Sequence, residues 1–202
     1  MASTNPAASQ KLCFVTLGAT ADFFDLLKAV CDIEFIRRLH KHGYTELRIQ
    51  FGKGGNKIFS DFMSTRLLSS MDALMKQITI TGFDFHDSLS EDMRMAKGGI
   101  AGCKEGVIIS HAGTGSILEA FRVNAPLILV PNATLLDNHQ QELAAELSRQ
   151  KYAVIGSNSD LRPALDQVEA ERGKRVSYLS VNHRSGRKKF TAILDEEMGF
   201  LD

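Results

Sequence analysis

The sequence predicts an α/β fold, a Rossmann-like doubly wound parallel sheet followed by a C-terminal helical extension. Two observations support this prediction. Short unbroken apolar segments alternate along the chain with longer segments in which apolar residues recur at steps of three and four. Strands that are covered by helices on both faces have that unbroken apolar character, and the repeat of three to four residues is typical of one helix face.

The alternation defines six predicted strands and the helices between them. The predicted strands are 12–16, 47–51, 78–83, 107–110, 127–130 and 152–155. Helices are predicted at 23–36, on the repeat of Phe23, Leu26, Leu27, Val30, Ile33 and Ile36, then at 60–75, 86–97, from a turn at 111–116 to Asn124, at 138–150 and at 161–172. Gly43 fits a helix stop, and residues 98–106 are predicted as a loop.

Composition limits the possible functions. The 24 Lys and Arg balance 24 Asp and Glu, which disfavours a general nucleic-acid binder, because such proteins usually carry a basic excess. Three cysteines without a Cys-x-x-Cys pair indicate neither a disulfide framework nor a zinc site. The sequence has no apolar segment of about 18 residues, so no membrane span is predicted.

Residues 1–11 are predicted as a disordered leader, 12–156 as the ligand-binding Rossmann-like domain and 157–202 as the helical extension.

The segment His-Ala-Gly-Thr-Gly-Ser-Ile-Leu-Glu, from His111 to Glu119, follows a predicted strand and opens a helix. Ligands of parallel sheets bind beyond the carboxyl ends of the strands, where this segment lies. Its two glycines let a ligand approach the backbone, and the free N–H groups and helix dipole of the Gly113–Ser116 turn suit a phosphate. His111 can donate to a phosphate oxygen, and Glu119 can accept from ribose hydroxyl groups.

Structural roles for the same residues are open alternatives. Gly-x-Gly alone is a weak signal, and Leu118 stands where the dinucleotide fingerprint requires a third glycine, so no nicotinamide site is predicted. Ser116-x-x-Glu119 also matches a capping box, in which Glu119 would only satisfy the backbone at the start of the helix. A lone histidine at a strand end, such as His111, is more often a hydrogen-bonded structural residue than a ligand contact.

A second polar segment, Asp-Asn-His-Gln-Gln at 137–141, follows the fifth predicted strand and opens a helix. Amide side chains beside an aspartate suit a sugar, which offers many hydroxyl groups and few charges. Taken alone, the segment is better explained as a helix N-cap, Asp137 or Asn138, followed by solvated residues. Beside a phosphate-binding turn on the neighbouring strand, however, it supplies the hydroxyl-binding half that a sugar nucleotide needs.

These motifs together resemble those of a known family. The His-x-Gly-x-x-Ser-x-x-Glu segment, then an apolar strand, then Asp-Asn-His-Gln-Gln, is similar to the donor half of GT-B glycosyltransferases. The segments 14–20, 49–52, 109–116 and 137–141 resemble more closely the small cytosolic subunits of the UDP-N-acetylglucosamine transferase of N-glycan precursor assembly. The resemblance covers about residues 12–156, and it fits the chain length, since a complete GT-B enzyme has two such domains.

The resemblance implies residue roles and partners. A membrane-anchored subunit would supply the acceptor domain and recruit this chain to the cytosolic face of the endoplasmic reticulum. Together the two would transfer the second N-acetylglucosamine to dolichyl-diphosphate-N-acetylglucosamine. The implied contacts of UDP-N-acetylglucosamine are His111, Gly113, Thr114, Gly115 and Ser116 for the diphosphate, Glu119 for the ribose, and Asn138, His139, Gln140 and Gln141 for the sugar, with Gly18, Ala19 and Thr20 lining the cleft that faces the partner.

The resemblance also implies the chemistry. A β-1,4 product from an α-linked donor implies inverting displacement at the anomeric carbon, with turn N–H groups stabilising the leaving diphosphate. No acidic pair indicates a metal site, so no metal or other cofactor is expected. His111, the candidate catalytic residue, is committed to phosphate, and the general base is expected on the partner or at the cleft lip. A non-catalytic sugar-nucleotide-binding module and a stand-alone small α/β enzyme are open alternatives.

The C-terminal segment carries an apolar stripe at helical spacing, formed by Phe190, Ile193, Leu194, Met198 and Leu201. In the family the C-terminal helix packs against the partner subunit, so the resemblance implies a partner-binding role for this stripe. Packing of the stripe onto the sheet of this same chain is the open alternative. Residues 98–104 and the basic segment 184–189 depart from the family pattern, and no function is assigned to them.

Overall fold

The computed structural model describes residues 9–18, 23–68, 77–99, 102–132 and 139–172, without the side chains of 66–68 and 139. In these ranges six strands form one sheet in the order β3-β2-β1-β4-β5-β6, and every pairing is parallel. The strands are β1 (Gln10–Thr16), β2 (Glu46–Gln50), β3 (Thr79–Phe83), β4 (Cys103–Ser110), β5 (Leu127–Leu129) and β6 (Val154–Ile155). The predicted parallel α/β fold is confirmed.

Helices cover both faces of the sheet. They are α1 (Phe24–Val30), α2 (Ile33–Lys41), α3 (Asn56–Leu68), α4 (Ser90–Lys97), α5 (Thr114–Val123), α6 (His139–Arg149) and α7 (Arg162–Glu171). Alternate β1 residues enter two cores: Cys13 and Val15 pack with α1, α2 and α7, whereas Leu12 and Phe14 pack with α4, α5 and α6. This alternation is the reason the strands are apolar without interruption.

The strand order reverses between β1 and β4, which are neighbours at the centre of the sheet. From β1 the chain extends to β2 and β3 on one side, and from β4 to β5 and β6 on the other. Thr16 and Ser110, the last residues of the two central strands, are in register. Ligands of open α/β sheets bind beyond the carboxyl ends of the strands at such a reversal, so the fold places the candidate site there.

The predicted helix at 23–36 is wrong, because the chain forms two helices there. Asp32 has an extended backbone, and its carboxylate accepts hydrogen bonds from the N–H groups of Glu34 at 2.9 Å and Phe35 at 3.1 Å. Asp32 is therefore the N-cap of α2, and its extended backbone separates α2 from α1. Ile33, which the apolar repeat placed on the buried face, is 40% exposed.

The predicted loop at 98–106 is also wrong in its second half, which belongs to β4. Gly98 and Gly102 do form the turn, with φ values of 66° and 85°. Gly106 has a different role: it lies flat in the strand, where a Cβ would collide with the backbone carbonyl of Leu12 on β1. A glycine that permits close approach of two strands is indistinguishable in sequence from a turn glycine.

Other boundaries shift by a few residues. β1 starts at Gln10, so Gln10 and Lys11 belong to the sheet rather than to a leader. α3 begins at Asn56, and α4 begins only at Ser90. Residues 84–89 are therefore a loop, although the sequence predicts a helix from residue 86. Predictions for 1–8, 69–76 and 173–202 lie outside the described residues. Within the described ranges, no helix has the length and apolarity needed to cross a membrane.

Candidate functional site

A cleft of about 130 Å³ opens beyond the carboxyl ends of the central strands. Its walls come from the ends of β1 and β2, from the loop before α4 and from the first turn of α5. The lining residues are Thr16, Gly18, Gln50, Phe85, His86, Leu89 and Ser116. The cleft therefore lies at the strand reversal, and two predicted site residues, Gly18 and Ser116, line it.

The imidazole ring of His111 is packed between two glycines. A Cβ added to Gly18, which has a φ of 85°, would lie 2.7 Å from both Cε1 and Nε2 of His111, and one added to Gly113 would collide with Nε2. No other residue fits at either position without moving the ring. The structure thus brings together three predicted site residues from two separate segments.

Burial sets the protonation of His111. Desolvation lowers the pKa of the imidazole, and the hydrogen bond from Nδ1 to the Thr16 carbonyl, 3.4 Å long, opposes this only in part. A carbonyl only accepts hydrogen bonds, so Nδ1 carries the hydrogen in that bond. The ring is then neutral at pH 7 with a lone pair on Nε2, and donation from Nε2 to a phosphate requires a second proton.

The turn after β4 leaves the start of α5 without a side-chain cap. Gly113 is the N-cap residue, and no acidic side chain lies in the first turn. Among the described residues, no atom lies within 4 Å of where a Cβ on Gly115 would be, so the helix surface is open towards them. Unbonded N–H groups and the positive end of the dipole attract anions to such a terminus. Ser116 lies inside the helix rather than at its N-cap, so the capping-box alternative is wrong.

The carboxylate of Glu119 is held by the first residue of α4 and by the loop before that helix. Its Oε1 accepts hydrogen bonds from the hydroxyl groups of Ser90 and, at 3.5 Å, of Ser88. Within the described part of the chain, Oε2 accepts none. Glu119 also lines a groove of about 470 Å³ between α4 and α5. It is therefore a positioned acceptor that faces open space about one turn along α5 from the uncapped terminus.

The second predicted segment begins beside the first. Val130, just past β5, donates its N–H to the carbonyl of Ser110 at 2.8 Å. Two residues later, the N–H of Asn132 donates to Oε1 of Gln140 in the first turn of α6, at 3.4 Å. β4 and β5 are adjacent strands, so the starts of α5 and α6, which follow their carboxyl ends, lie side by side. Gln141 of α6 is exposed.

Several predicted contacts cannot be placed. His139 begins α6, but its side chain is not described. Outside the described residues lie Ala19, Thr20, Asn138, Phe190, Ile193, Leu194, Met198 and Leu201. Their predicted roles stay predictions. Among the residues that are described, no group of three His, Cys, Asp or Glu side chains could hold a metal ion.

The sequence reasoning missed one wall of the cleft. Phe85, His86 and Leu89 lie in the loop before α4, although the sequence predicts a helix from residue 86. Ser88 lies in the same loop, and Ser90, which also bonds to Glu119, is the first residue of α4. Gln50 lies in the segment 49–52, which resembles the family, but the resemblance implies no role for it. One available signal was Ser88, whose hydroxyl accepts the N–H of Ser90 at 3.2 Å, since serine favours such turns before a helix.

Comparisons with known proteins identify the family of the chain and agree with its fold. Residues 12–194 match the model of the glycosyltransferase family 28 C-terminal domain. A UDP-N-acetylglucosamine transferase subunit ALG13 from Yarrowia lipolytica is 34% identical over 149 residues, which are 74% of this chain and 66% of that protein. An NMR solution structure of ALG13 superposes with a TM-score of 0.63 at 27% identity, covering 90% of this chain and 95% of that one.

A crystal structure of MurG from Acinetobacter baumannii shares the fold, with a TM-score of 0.54 at 18% identity. The match covers 93% of this chain but only 51% of MurG. The chain thus corresponds in fold to one half of that larger protein. With the family match over most of its length, this chain belongs to the glycosyltransferase family 28 C-terminal-domain family, together with the UDP-N-acetylglucosamine transferase subunits that resemble it.

Proposed function

We propose that this chain binds UDP-N-acetylglucosamine in the cleft beyond the carboxyl ends of the central strands, and that it transfers the sugar to dolichyl-diphosphate-N-acetylglucosamine with a membrane-anchored partner. The observation that supports this most strongly is the pairing of an uncapped α5 terminus with Oε2 of Glu119, about one turn away, which accepts no hydrogen bond from the described residues. The first suits a diphosphate and the second a ribose hydroxyl. Gln140, in the first turn of α6 beside the end of β5, would contact the sugar.

The chemistry would be inverting displacement that gives a β-1,4 linkage. Negative charge grows on the leaving diphosphate in the transition state, and fixed N–H groups of the turn at 113–116 would stabilise it. Losing one such donor typically raises the barrier by about 2.7–4 kcal/mol. The acceptor hydroxyl needs a base, which we place on the partner or at the cleft lip. We expect transfer to continue in the presence of a chelator.

A partner is needed because the chain has the fold of one half of a two-half enzyme. The correspondence to half of MurG supports this, as does the word subunit in the names of its relatives. The partner would supply the acceptor site and hold the complex at the cytosolic face of the endoplasmic reticulum. The stripe from Phe190 to Leu201 is the segment we assign to partner binding.

The experiment is titration of the chain with UDP-N-acetylglucosamine by calorimetry, followed by transfer assays with and without the partner. Gly115→Ala is the variant of choice, because the added methyl has free space in the protein and alanine favours helix. We expect it to fold normally and to weaken donor binding about tenfold by filling the space that the diphosphate needs.

Ser64→Ala is the matched control, since Ser64 is an exposed position of α3. It should bind the donor as the wild type does. Transfer is expected only when the partner is added. Activity of the isolated chain would favour a stand-alone enzyme, whereas binding without transfer in the complex would favour a non-catalytic module. Equal donor affinity of wild type and Gly115→Ala would contradict the placement of the diphosphate.

A further inference from the structure

We propose that Gln50 is a positioning residue of the donor site, whose buried side chain fixes the Gly18 turn and the loop that starts at Asp84. The inference rests on the proposed function, since it concerns the same cleft. Gln50 ends β2 and is 2% exposed. Its neighbour in register is Thr16 of β1, which in turn is in register with Ser110 of β4.

The side-chain amide of Gln50 makes its full set of four hydrogen bonds. Oε1 accepts from the Thr16 hydroxyl at 2.7 Å and from the Gly18 N–H at 3.3 Å. Nε2 donates to the carbonyls of Gly18 at 3.1 Å and Asp84 at 2.9 Å. A backbone N–H only donates and a carbonyl only accepts, so only one orientation of the amide satisfies all partners.

These bonds hold Gly18 by both of its backbone polar groups. On its other side Gly18 touches the ring of His111, and its carbonyl lies 3.2 Å from where a Cβ of Gly52 would be. The turn therefore cannot shift without breaking bonds to Gln50 or displacing His111. Through Gly18, Gln50 determines where the imidazole of His111 stands relative to the start of α5.

The bond from Nε2 of Gln50 to the Asp84 carbonyl connects the amide to the opposite wall of the cleft. Asp84 is followed by Phe85 and His86, which line the cleft. One side chain thus ties the turn after β1 to the loop after β3 across the end of β2. The apolar side chains found along most of the central strands could fill the same space, and burying an amide costs free energy unless it is fully bonded. Holding the two loops accounts for an amide at this position.

The test compares Gln50→Leu and Gln50→Glu with the wild type. Leucine removes all four bonds. Glutamate keeps the size and the accepting oxygen but sets a second oxygen against the carbonyls of Gly18 and Asp84. We expect both variants to bind UDP-N-acetylglucosamine about 10- to 100-fold more weakly, the effect of a misplaced site. We also expect faster amide hydrogen exchange at Gly18 in both. A space-filling role predicts wild-type donor affinity and Gly18 exchange in Gln50→Leu, which fills a similar volume, whereas Gln50→Glu also buries a carboxylate.

Tyr44→Phe is the control for a general loss of stability. It removes the buried hydrogen bond from Tyr44 to Glu169, 2.7 Å long, near the opposite end of the sheet. It should lower the melting temperature while leaving donor affinity and Gly18 exchange unchanged. If Gln50→Leu does not fold, donor affinity and Gly18 exchange in Gln50→Glu decide whether Gln50 positions the site.

The inference is overturned if Gly18 exchange stays at the wild-type rate in Gln50→Glu, or if that variant binds the donor within about twofold of the wild type. If the wild type itself does not bind the donor, the proposed function fails. Gly18 exchange then still decides whether Gln50 holds the turn.

Discussion

Two glycines and one carbonyl control the chemistry of His111. Packing between Gly18 and Gly113 removes water from the ring and lowers its pKa, and the bond to the Thr16 carbonyl holds the hydrogen on Nδ1. The opposite nitrogen, Nε2, is then an acceptor in the neutral ring. A phosphate oxygen is also an acceptor. Nε2 can therefore bind a phosphate oxygen only when Nε2 carries a proton. Phosphate binding at this position would thus be linked to protonation of His111.

Donor binding is therefore expected to take up a proton. Because the protonated ring is the form that binds, affinity for UDP-N-acetylglucosamine should rise as the pH falls from about 8 to about 6, by up to about tenfold per pH unit. Calorimetry in buffers of different ionisation enthalpy measures the proton directly. In His111→Gln an uncharged amide can donate without protonation, so the pH dependence should disappear. A flat profile in the wild type would show that His111 does not donate to the diphosphate.

Sequence predicted those parts of the site that are local. The turn and Glu119 lie within nine residues, and helix spacing alone places them along one helix. Gln50 and Ser90 could not be assigned, because their partners Gly18 and Glu119 are 32 and 29 residues away. Only the strand order brings them together. The role of a buried glutamine depends on which backbone groups surround it, and no pattern in the neighbouring residues encodes that.

At the scale of elements, apolar periodicity predicted the presence of strands and helices but not their ends. The repeat from Phe23 to Ile36 continues across the break between α1 and α2, because both helices bury their apolar residues, except Ile33, in the same core. The break depends instead on one hydrogen-bonding side chain, that of Asp32. A capping residue acts on backbone N–H groups, so it leaves the apolar pattern unchanged.

Asp32→Ala should lower the free energy of unfolding by about 1 kcal/mol, within the range of about 0.5–2 for a lost N-cap. The reason is that the N–H groups of Glu34 and Phe35 lose their acceptor. Urea denaturation measures the change. Asp32→Asn keeps an accepting oxygen and should lose much less. Equal stability of Asp32→Ala and wild type would mean that core packing alone separates the two helices.

For the whole molecule, the candidate cleft and a cluster of partly buried charged residues lie at opposite ends of the sheet. The cleft lies at the carboxyl ends of the strands, whereas a cluster of charged residues joins α7 to their amino ends. Glu169 of α7 bonds to Lys11 of β1 at 3.0 Å and to the hydroxyl of Tyr44. Arg172 bonds to Glu169 and, at 3.1 Å, to Glu105 of β4. The alternation of strand and helix segments predicted the sheet. The charged cluster could not be predicted, because its residues are far apart in the sequence and only the tertiary fold brings them together.

Glu169 should make the protein sensitive to acid. Burial alone would raise the pKa of this carboxyl group, but hydrogen bonds from Arg172, Tyr44 and Lys11 outweigh it and hold the pKa at about 2, against an ordinary 4.5. The folded state thus binds fewer protons than the unfolded state between these values. The stabilisation is complete above about pH 4.5 and is lost as the pH falls towards 2, a change of order 1–3 kcal/mol.

Urea denaturation between about pH 6 and pH 3 measures this loss. Glu169→Gln should be less stable than the wild type at neutral pH, because Lys11 and Arg172 lose their charged partner, and its stability should fall less steeply with acid. Glu146→Gln, which alters an ion pair on the surface of α6, should leave the slope nearly unchanged because solvent screens that pair.

Since the cluster is remote from the cleft, Glu169→Gln should bind UDP-N-acetylglucosamine as tightly as the wild type at neutral pH. Weaker donor binding in that variant would show that the two ends of the sheet are coupled.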